Sequence, residues 1–250
     1  MNDVIHQLRD RKSVRAYLDK PIAPEDRRAI LEAACAAHTA GNQQLYTILD
    51  ITDQRLKDTL AETCDHQPFI AQAPLVLIFC ADCQKWYDAF AAGGCQPRKP
   101  GVGDLLLACS DANIAAQNAV TAAWSLGVGS CYIGDILEQC ETHRALLNLP
   151  SYVVPAAMVV FGRPTDQQKA RRKPARLPAE YVVCENTYTE HSPEAHRAAL
   201  NARAAADKKP AFDFDALVRA FAARKYESDF SREMSRSASV YLKDFEDWDR

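Results

Sequence analysis

The pattern of hydrophobic and polar residues is dominated by one long stretch that ends at Gly134. No Asp, Glu, Lys or Arg occurs between Ala112 and Gly134. A helix from Asp104 to Leu126 is about 34 Å long at 1.5 Å per residue. A compact chain of 250 residues has a radius of gyration of about 18 Å. The stretch therefore predicts a central helix that crosses most of the molecule.

This predicted helix has one polar face and one apolar face. The polar sector, roughly 160° wide at 100° per residue, holds Ser110, Asp111, Asn113, Gln117, Asn118, Thr121 and Ser125. The opposite sector holds Leu106, Leu107, Ala115, Ala119, Ala122, Ala123 and Leu126. A solvated helix carries Lys, Glu and Arg on its polar face, whereas amides and hydroxyls suit a buried contact with another protein surface or a polar ligand. A central helix of a large core is the alternative, and the stretch is too polar to span a bilayer.

The rest of the pattern alternates helices with a few buried strands. Continuous apolar runs predict strands at residues 74–80 and 153–161, because a strand buried on both faces has no polar side. Shorter strands are predicted at 45–51 and 130–133. Helices are predicted at 2–9, 24–37, 54–64 and 86–91, with two amphipathic helices within 212–248. The pattern indicates an α+β or α/β fold with a central sheet.

Composition narrows the class of protein. A chain of 250 residues that is 48% hydrophobic makes one large domain or two small ones. The net charge of −3 argues against a nucleic-acid binder, which usually carries a basic excess. The N-terminus has no signal-peptide pattern, and the nine cysteines are scattered singly. We therefore expect a reduced, cytoplasmic protein.

One pair of cysteines is close enough in sequence to act together. Cys80 and Cys83 form a CxxC motif, but a zinc site needs two further ligands and no second CxxC or HxxxH occurs. A redox role for the pair and a coincidence at the end of a strand both remain open.

A basic run near the N-terminus is the first candidate for chemistry. Arg11, Lys12, Ser13 and Arg15 place four donors within five residues, and in an extended chain alternate side chains share one side. Arg11, Ser13 and Arg15 can therefore converge on one anion, although an ordinary solvated turn is the alternative. Glycine-rich nucleotide motifs, the G-x-S-x-G elbow and H-E-x-x-H are all absent from the sequence. If the chain is an enzyme, a bound cofactor is expected to carry the reaction.

Four blocks of the sequence, in order, resemble the FMN-dependent nitroreductase superfamily. The run from Arg11 to Tyr17, RKSVRAY, is similar to the signature R-x-S-x-R-x-[FY] of that family. Gln67-Pro68-Phe69 resembles a block of its NADPH-linked nitroreductase and flavin reductase branch. Residues 115–134 resemble its central helix and the turn that follows, and residues 173–178 with 185–188 resemble its K-P-R-L-P and E-N-x-Y pair.

The resemblance implies a role for particular residues. It implies that the FMN phosphate, ribityl chain and ring are bound by Arg11, Lys12, Ser13, Arg15, Thr39, Gln67, Tyr132, Ile133, Gly134, Lys173 and Arg176. Gln67 would approach the ring near N5, Arg15 would supply positive charge to the reduced ring, and the turn at Gly134 would offer backbone N–H groups. No catalytic side chain is expected, since the flavin itself carries the hydride.

The resemblance also implies a nitroreductase-like α+β fold and an activity. The fold has a mostly antiparallel central sheet, a long helix at a homodimer interface and one domain over residues 1–250, with a C-terminal extension from about 186 that wraps the partner. The activity is two-electron, ping-pong transfer from NADPH or NADH to a nitroaromatic, a quinone or a free flavin. Arg203, Lys208 and Lys209 are weaker candidates for the 2′-phosphate of NADPH. A dehalogenating or dehydrogenating flavoenzyme and a non-catalytic flavin sensor remain alternatives, and neither a metal nor a membrane is expected.

The chain departs from the pattern of that branch at four positions. Arg11 stands where the branch often has His, and Asp135 replaces a frequent second glycine. Ala175 is inserted before Arg176, which leaves open which of Arg172, Lys173 and Arg176 contacts phosphate. Cys184 stands in place of a common His. Asp135 puts a carboxylate beside the predicted flavin turn. None of the four departures removes the predicted anion site, but each can alter the substrate preference.

Overall fold

A four-stranded antiparallel sheet forms the centre of the fold. The computed structural model describes residues 2–208 and 213–249. The strands are β1 (Tyr46–Asp50), β2 (Leu75–Asp82), β3 (Gly129–Ile133) and β4 (Val153–Gly162), arranged in the order β1-β2-β4-β3. All three strand pairs are antiparallel. The prediction of an α+β fold with a central antiparallel sheet is confirmed.

The two central strands are buried on both faces, as their continuous apolar sequences predicted. Every residue of β2 is buried. One face of β2 contributes Leu75, Leu77 and Phe79 to one core cluster, and the other contributes Val76 and Ile78 to a second. The register between β2 and β4 shifts between Phe79 and Cys80. Cys80 is opposite Pro155, which has no N–H to donate to a neighbouring strand.

The long helix packs along the first of these core clusters. This helix, α6, runs Val102–Ser125, close to the predicted Asp104–Leu126. Gly101 N–H donates to the Asp104 carboxylate at 2.8 Å, which caps the start of the helix. Small side chains let it lie close to the sheet; those that are fully buried are Ala108, Ala112, Ala115, Ala116, Ala119 and Ala123. Leu106 and Leu107, which the helical wheel grouped with the alanines, are 64% and 51% exposed.

The remaining helices surround the sheet or follow it in sequence. Their bounds are α1 Asp3–Asp10, α2 Pro24–Cys35, α3 Gln54–Thr63, α4 Pro68–Ala71, α5 Gln84–Ala92, α7 Cys140–Leu146, α8 Asp166–Ala170, α9 Ala179–Val182, α10 Pro193–Ala206, α11 Phe214–Lys225 and α12 Asp229–Lys243. The predicted helices agree with these bounds to within about two residues, as helix boundaries generally do. The sequence pattern did not predict α4, α7, α8, α9 or α10. None of the described helices combines the length and the apolar character that crossing a membrane requires.

The chain divides into two compact units. The first comprises the described residues up to Arg171 and those from Glu233 onward, and the second comprises Arg172–Arg232. The C-terminal segment completes the core of the first unit, because Tyr241 and Phe245 are buried in a cluster with Leu105 and Val154. In the second unit, Arg197 pairs with Asp215 at 2.8 Å, which links α10 to α11. The prediction of one domain with a C-terminal extension stays a prediction.

Candidate functional site

The N-terminal basic run lies along the edge strand β3. Val14 N–H donates to the Ser130 carbonyl at 2.9 Å, and Ser13 pairs with Ser130 in a parallel bridge. Val14 is fully buried, whereas Arg15 is exposed. A Cβ atom on Gly129 would lie 2.4 Å from Val14 Cγ2, so only glycine permits this close approach. The segment is extended, as the convergence of Ser13 and Arg15 on one side requires.

Lys12 and Arg171 fasten this segment to the chain that follows α8. The Lys12 ammonium donates to the carbonyls of Lys169 and Arg171, each at 2.5 Å. The Arg171 guanidinium donates in turn to the Ser13 carbonyl. Two of the three N–H groups of Lys12 are therefore engaged with backbone at the end of a helix, where a cation is favoured. Lys12 has a structural role here beside its predicted role towards phosphate.

Three arginines lie near the middle of β3, two of them close to Cys131 and the third close to Tyr132. Burial raises the pKa of Cys131, and nearby Arg15 and Arg171 act against that rise. Burial likewise raises the pKa of Tyr132 to about 12, and Arg11 acts in the opposite direction. Within residues 2–208 and 213–249, none of the three arginines forms an ion pair with a carboxylate. Cations without a counter-ion favour the binding of an anion beside this strand.

Gln67 and the turn after β3 meet at one end of this cationic region. Gln67 immediately precedes α4, and its side-chain amide donates to Cys64 O at 2.8 Å and to Asp135 Oδ2 at 2.9 Å. The Arg15 guanidinium carbon lies 5.8 Å from the centre of the Phe69 ring, in cation–π range. The structure therefore brings together three of the four sequence blocks, through Arg11–Arg15, Gln67 and the strand that ends at Ile133.

This donor set suits FMN. Guanidinium groups bind phosphate in a bidentate manner, the Ser13 hydroxyl and the Gln67 amide provide polar contacts for a ribityl chain or a ring, and Phe69 provides an apolar surface. Two glycines, Gly129 and Gly134, border this region, and Gly134 is exposed. The residues present therefore fit a phosphate-bearing heteroaromatic cofactor. The assignment of each residue to a part of the cofactor stays a prediction.

Thr39 belongs to a hydrogen-bond network on α6. Its hydroxyl donates to the Asp111 carboxylate at 2.5 Å and accepts from Gln44 N–H at 2.7 Å. Asp111 is 3% exposed and also accepts from the backbone N–H groups of Ala40 and Leu45. The network fixes the loop before β1 against the long helix. Only one lone pair of Thr39 remains for a ligand, and its predicted contact with the cofactor stays a prediction.

The remaining predicted cations belong to the second unit. Arg172 donates to Ala206 O, and Ala175 N–H donates to Asp207 Oδ1 at 2.7 Å, so this segment is held against the C-terminal end of α10. Lys173 and Arg176 lie in the same segment, and Arg203 lines a groove with Leu200, Leu217 and Phe221. Lys208 follows α10, and Lys209 lies outside the described residues. The predicted contacts of these residues with phosphate stay predictions.

Two features of this region were not foreseen from the sequence. Arg171 lies near Cys131 and donates to the Ser13 carbonyl, and its only signal in the sequence is its place in the basic run 167–176. Glu138 is 5% exposed, and its Oε1 has no hydrogen-bond partner in the described part of the chain. Burial, with Asp135, Asp65 and Glu233 nearby, raises the pKa of Glu138 to about 7. No motif marks this carboxyl in the sequence.

The structure argues against an activated thiol at Cys80 or Cys83. Both residues are buried, and burial is the main cause that raises the pKa of each thiol to about 12. A reactive cysteine instead needs a lowered pKa and access to solvent. The CxxC spacing is better explained by its position, at the end of β2 and the start of α5.

The chain is similar in sequence and in fold to several known proteins. Residues 8–163 match the model of the Nitroreductase family. The chain is 37% identical over 192 residues to the NAD(P)H FMN reductase of Bacillus subtilis (strain 168), over 75% of each chain. It is 36% identical over 189 residues to the oxygen-insensitive NADPH nitroreductase of Salmonella typhimurium, again over 75% of each. The solved structure of B. megaterium NfrA2 superposes with a TM-score of 0.83 at 27% identity and covers 100% of both chains.

Proposed function

Because the chain belongs to the nitroreductase family, we propose that it is an FMN-dependent oxidoreductase that transfers electrons from NADPH or NADH to an aromatic acceptor. The acceptor is a nitroaromatic, a quinone or a free flavin. The observation that carries the proposal is that Arg11, Arg15 and Arg171 lie beside β3 without a carboxylate partner among the described residues. The names of the relatives from B. subtilis and S. typhimurium support the same activity.

The proposed mechanism leaves the redox step to FMN, which supplies two-electron hydride chemistry when it is bound. The protein binds and orients it. Arg11 and Arg171 would neutralise phosphate, and the Ser13 hydroxyl would contact the ribityl chain. Arg15 stabilises negative charge on the reduced ring, since a fixed cation favours the charged state that develops beside it. Tyr132, Ile133 and Gly134 would offer backbone N–H groups to the bound ring.

The same proposal includes the nucleotide donor and the assembly. We assign the 2′-phosphate of NADPH to Arg203 and Lys208. We propose a homodimer, with α6 at the interface, because Leu106, Leu107 and Ile114 form an exposed apolar row on this helix at 64%, 51% and 40% exposure. Large exposed apolar patches usually mark interaction surfaces. We also propose a cytoplasmic location, which the nine free cysteines support.

Absorption spectroscopy tests the proposal directly. The purified protein should take up FMN, and anaerobic NADPH or NADH should bleach the visible band of the oxidised flavin. Addition of a nitroaromatic, a quinone or free FMN should then restore the band. A colourless protein that takes up no FMN would refute the proposal. Bleaching with no turnover of any acceptor would favour a flavin sensor, and turnover of halogenated or saturated substrates would favour the other flavoenzyme classes.

Arg15→Ala, compared with the control Arg55→Ala, tests the proposed FMN site. Loss of hydrogen bonds to a charged group costs about 1.5–3 kcal/mol, so FMN should bind at least about tenfold more weakly. Arg55→Ala removes an exposed arginine on α3 and should leave FMN affinity unchanged. The measurement is fluorescence titration of FMN, with circular dichroism as the check of folding. Unaltered FMN affinity in Arg15→Ala would refute the role assigned to that residue.

A further inference from the structure

The orientation of the Gln67 amide is fixed by its two acceptors. A primary amide has two N–H donors on its nitrogen and one carbonyl oxygen. The nitrogen of Gln67 donates to Cys64 O at 2.8 Å and to Asp135 Oδ2 at 2.9 Å. Neither partner can donate a hydrogen bond, because one is a backbone carbonyl and the other a carboxylate. The nitrogen must therefore face them both, and rotation of the amide by 180° would place its oxygen against two other oxygens.

The fixed nitrogen determines what Gln67 offers to a ligand. Both N–H groups are engaged, so the carbonyl oxygen Oε1 is the group left to contact a ligand, and it is an acceptor only. Asp135 provides one of the two anchors. It follows Gly134 directly, begins the short 3-10 turn Asp135–Leu137 and accepts from Glu138 N–H at 3.0 Å through its backbone carbonyl. This hydrogen bond ties the Asp135 backbone into the turn that follows β3.

The two redox states of a flavin differ at the atom that Gln67 is proposed to approach. N5 of the oxidised ring has a lone pair and accepts hydrogen bonds, whereas N5 of the reduced ring carries a hydrogen and donates. An acceptor-only neighbour repels the first and binds the second. A glutamine that is free to rotate can instead present its N–H to the oxidised ring and its oxygen to the reduced one.

We propose that Asp135 is a positioning residue that fixes Gln67 as a hydrogen-bond acceptor and so favours reduced over oxidised FMN. The inference rests on the proposed function and on the approach of Gln67 to N5 that the family resemblance implies. A residue without a side-chain acceptor at position 135 would offer Gln67 no such anchor. The carboxylate also has an opposite effect, because its negative charge disfavours an anionic reduced ring. Substitutions at residue 135 must therefore separate the effect of the carboxylate charge from the effect on the orientation of Gln67.

Two variants of Asp135 make that separation. Asp135→Asn keeps an oxygen that accepts from Gln67 and removes the charge, whereas Asp135→Ala removes both. The difference in midpoint potential between Asp135→Asn and Asp135→Ala therefore reports the orientation of the Gln67 amide alone. Asp65→Asn is the matched charge control, because Asp65 is exposed and takes no part in the two hydrogen bonds of the Gln67 amide. Each protein is loaded with FMN, and the midpoint potential is measured anaerobically by equilibration with a reference dye.

The expected result is a lower potential in Asp135→Ala than in Asp135→Asn. Loss of one oriented hydrogen bond should weaken binding of reduced FMN relative to oxidised FMN about tenfold, which is about 30 mV for a two-electron couple. The difference should vanish when Gln67 is also changed to alanine, as a double-mutant cycle requires. Gln67→Ala alone should lower the potential too, which keeps the test available if Asp135→Ala does not fold.

The outcomes separate this inference from the proposed function. If the wild-type chain takes up no FMN, the proposed function fails. If every variant binds FMN and the potentials of Asp135→Asn and Asp135→Ala coincide, the positioning role is overturned while the proposed function stands. The same holds if the difference persists in the Gln67→Ala background, because the effect of Asp135 then does not pass through Gln67.

Discussion

Around β3, burial and the neighbouring charges together determine how readily a single side chain ionises. The Glu138 carboxyl is buried among other carboxyl groups, whereas the arginines near Cys131 gather without a carboxylate partner in the described chain. A buried carboxyl resists ionisation, and nearby negative charges add to that resistance. Glu233 is compensated by Arg236, which holds the pKa of Glu233 down to about 2. The charged groups that shift the pKa of Glu138 are all carboxylates, so ionisation of this residue opposes folding.

Glu138→Gln should make this chain less sensitive to alkaline pH. Burial, then Asp135, Asp65 and Glu233, raises the pKa of Glu138 from 4.5 to about 7. Because the folded pKa lies above the unfolded value, the contribution of Glu138 is fully present below pH 4.5 and is lost as the pH rises through about 7. We expect the variant to gain about 1–3 kcal/mol of unfolding free energy, relative to wild type, between pH 4.5 and pH 8.

Urea denaturation at both pH values measures this effect. Glu185→Gln removes an exposed carboxyl and should show no comparable pH dependence. A stability difference between Glu138→Gln and wild type that is the same at pH 4.5 and pH 8 would contradict the assignment.

At the scale of elements, the site depends on a close contact between the segment 11–15 and β3. That contact needs a glycine at residue 129, because Val14 lies where a side chain would be. Lys12 and Arg171 then fasten the segment to the chain after α8. The binding groups are thus positioned by packing and by backbone hydrogen bonds that themselves touch no ligand.

Gly129→Ala should displace the basic segment without altering any binding side chain. The new Cβ would lie 2.4 Å from Val14 Cγ2 and 2.7 Å from Val14 Cβ, neither of which is the end of a flexible side chain. Such overpacking costs about 1–3 kcal/mol, and FMN affinity should fall with it. Val14→Ala in the same chain should restore part of both losses. Thermal unfolding and FMN titration measure the two effects.

Gly103→Ala is the control for that substitution. Gly103 lies in α6 with open space around its position, and alanine in a helix is as stable as glycine or more so. We expect no loss of stability or of FMN affinity. If Gly129→Ala behaves in the same way as Gly103→Ala, the contact with Val14 does not hold the segment in place.

Elements were predictable from the sequence where the local pattern is strong. The continuous apolar run of β2 predicted a strand buried on both faces, and the uncharged stretch predicted α6. The helix α10 was missed because its alanine-rich sequence has no apolar stripe, although Ser192 followed by Pro193 is a start signal. In the candidate site, motif order predicts Gln67 and Gly134, and the structure shows Gln67 hydrogen-bonded to Asp135, which follows Gly134. The partners of Lys12 and Thr39 lie 157 and 72 residues away, and no local pattern specifies such pairs.

At the scale of the whole molecule, the chain presents apolar surface that a single copy leaves exposed. Leu106 and Leu107 on α6 are largely exposed, and Val4 and Leu8 on the neighbouring helix α1 are 56% and 47% exposed. The helix α1 buries no residue in one copy. Isolated apolar residues at a surface are ordinary, but a row of them on two helices that touch each other indicates an interface.

Leu106→Asp combined with Leu107→Asp should convert the proposed homodimer to a monomer. Two charges in a buried apolar interface cost several kcal/mol, which exceeds what a dimer can lose without dissociating at micromolar concentration. Sedimentation velocity measures the state, and circular dichroism checks that the helices persist. Leu18→Asp, at another exposed leucine, should leave the dimer intact. A wild-type chain that sediments as a monomer would contradict the proposed assembly.

The C-terminal segment has a consequence for how the chain folds during its synthesis. Tyr241 and Phe245 complete the core cluster of the first unit, and Arg144 pairs with Asp244, 100 residues further along. At about 5–20 residues per second, a ribosome needs several seconds to add the residues that follow Arg171. The sheet and α6 must wait that long with Cys140 and Leu105 uncovered. During this interval, the partly synthesised chain exposes apolar surface to other molecules. The surface is covered once α12 and the residues after it have been made.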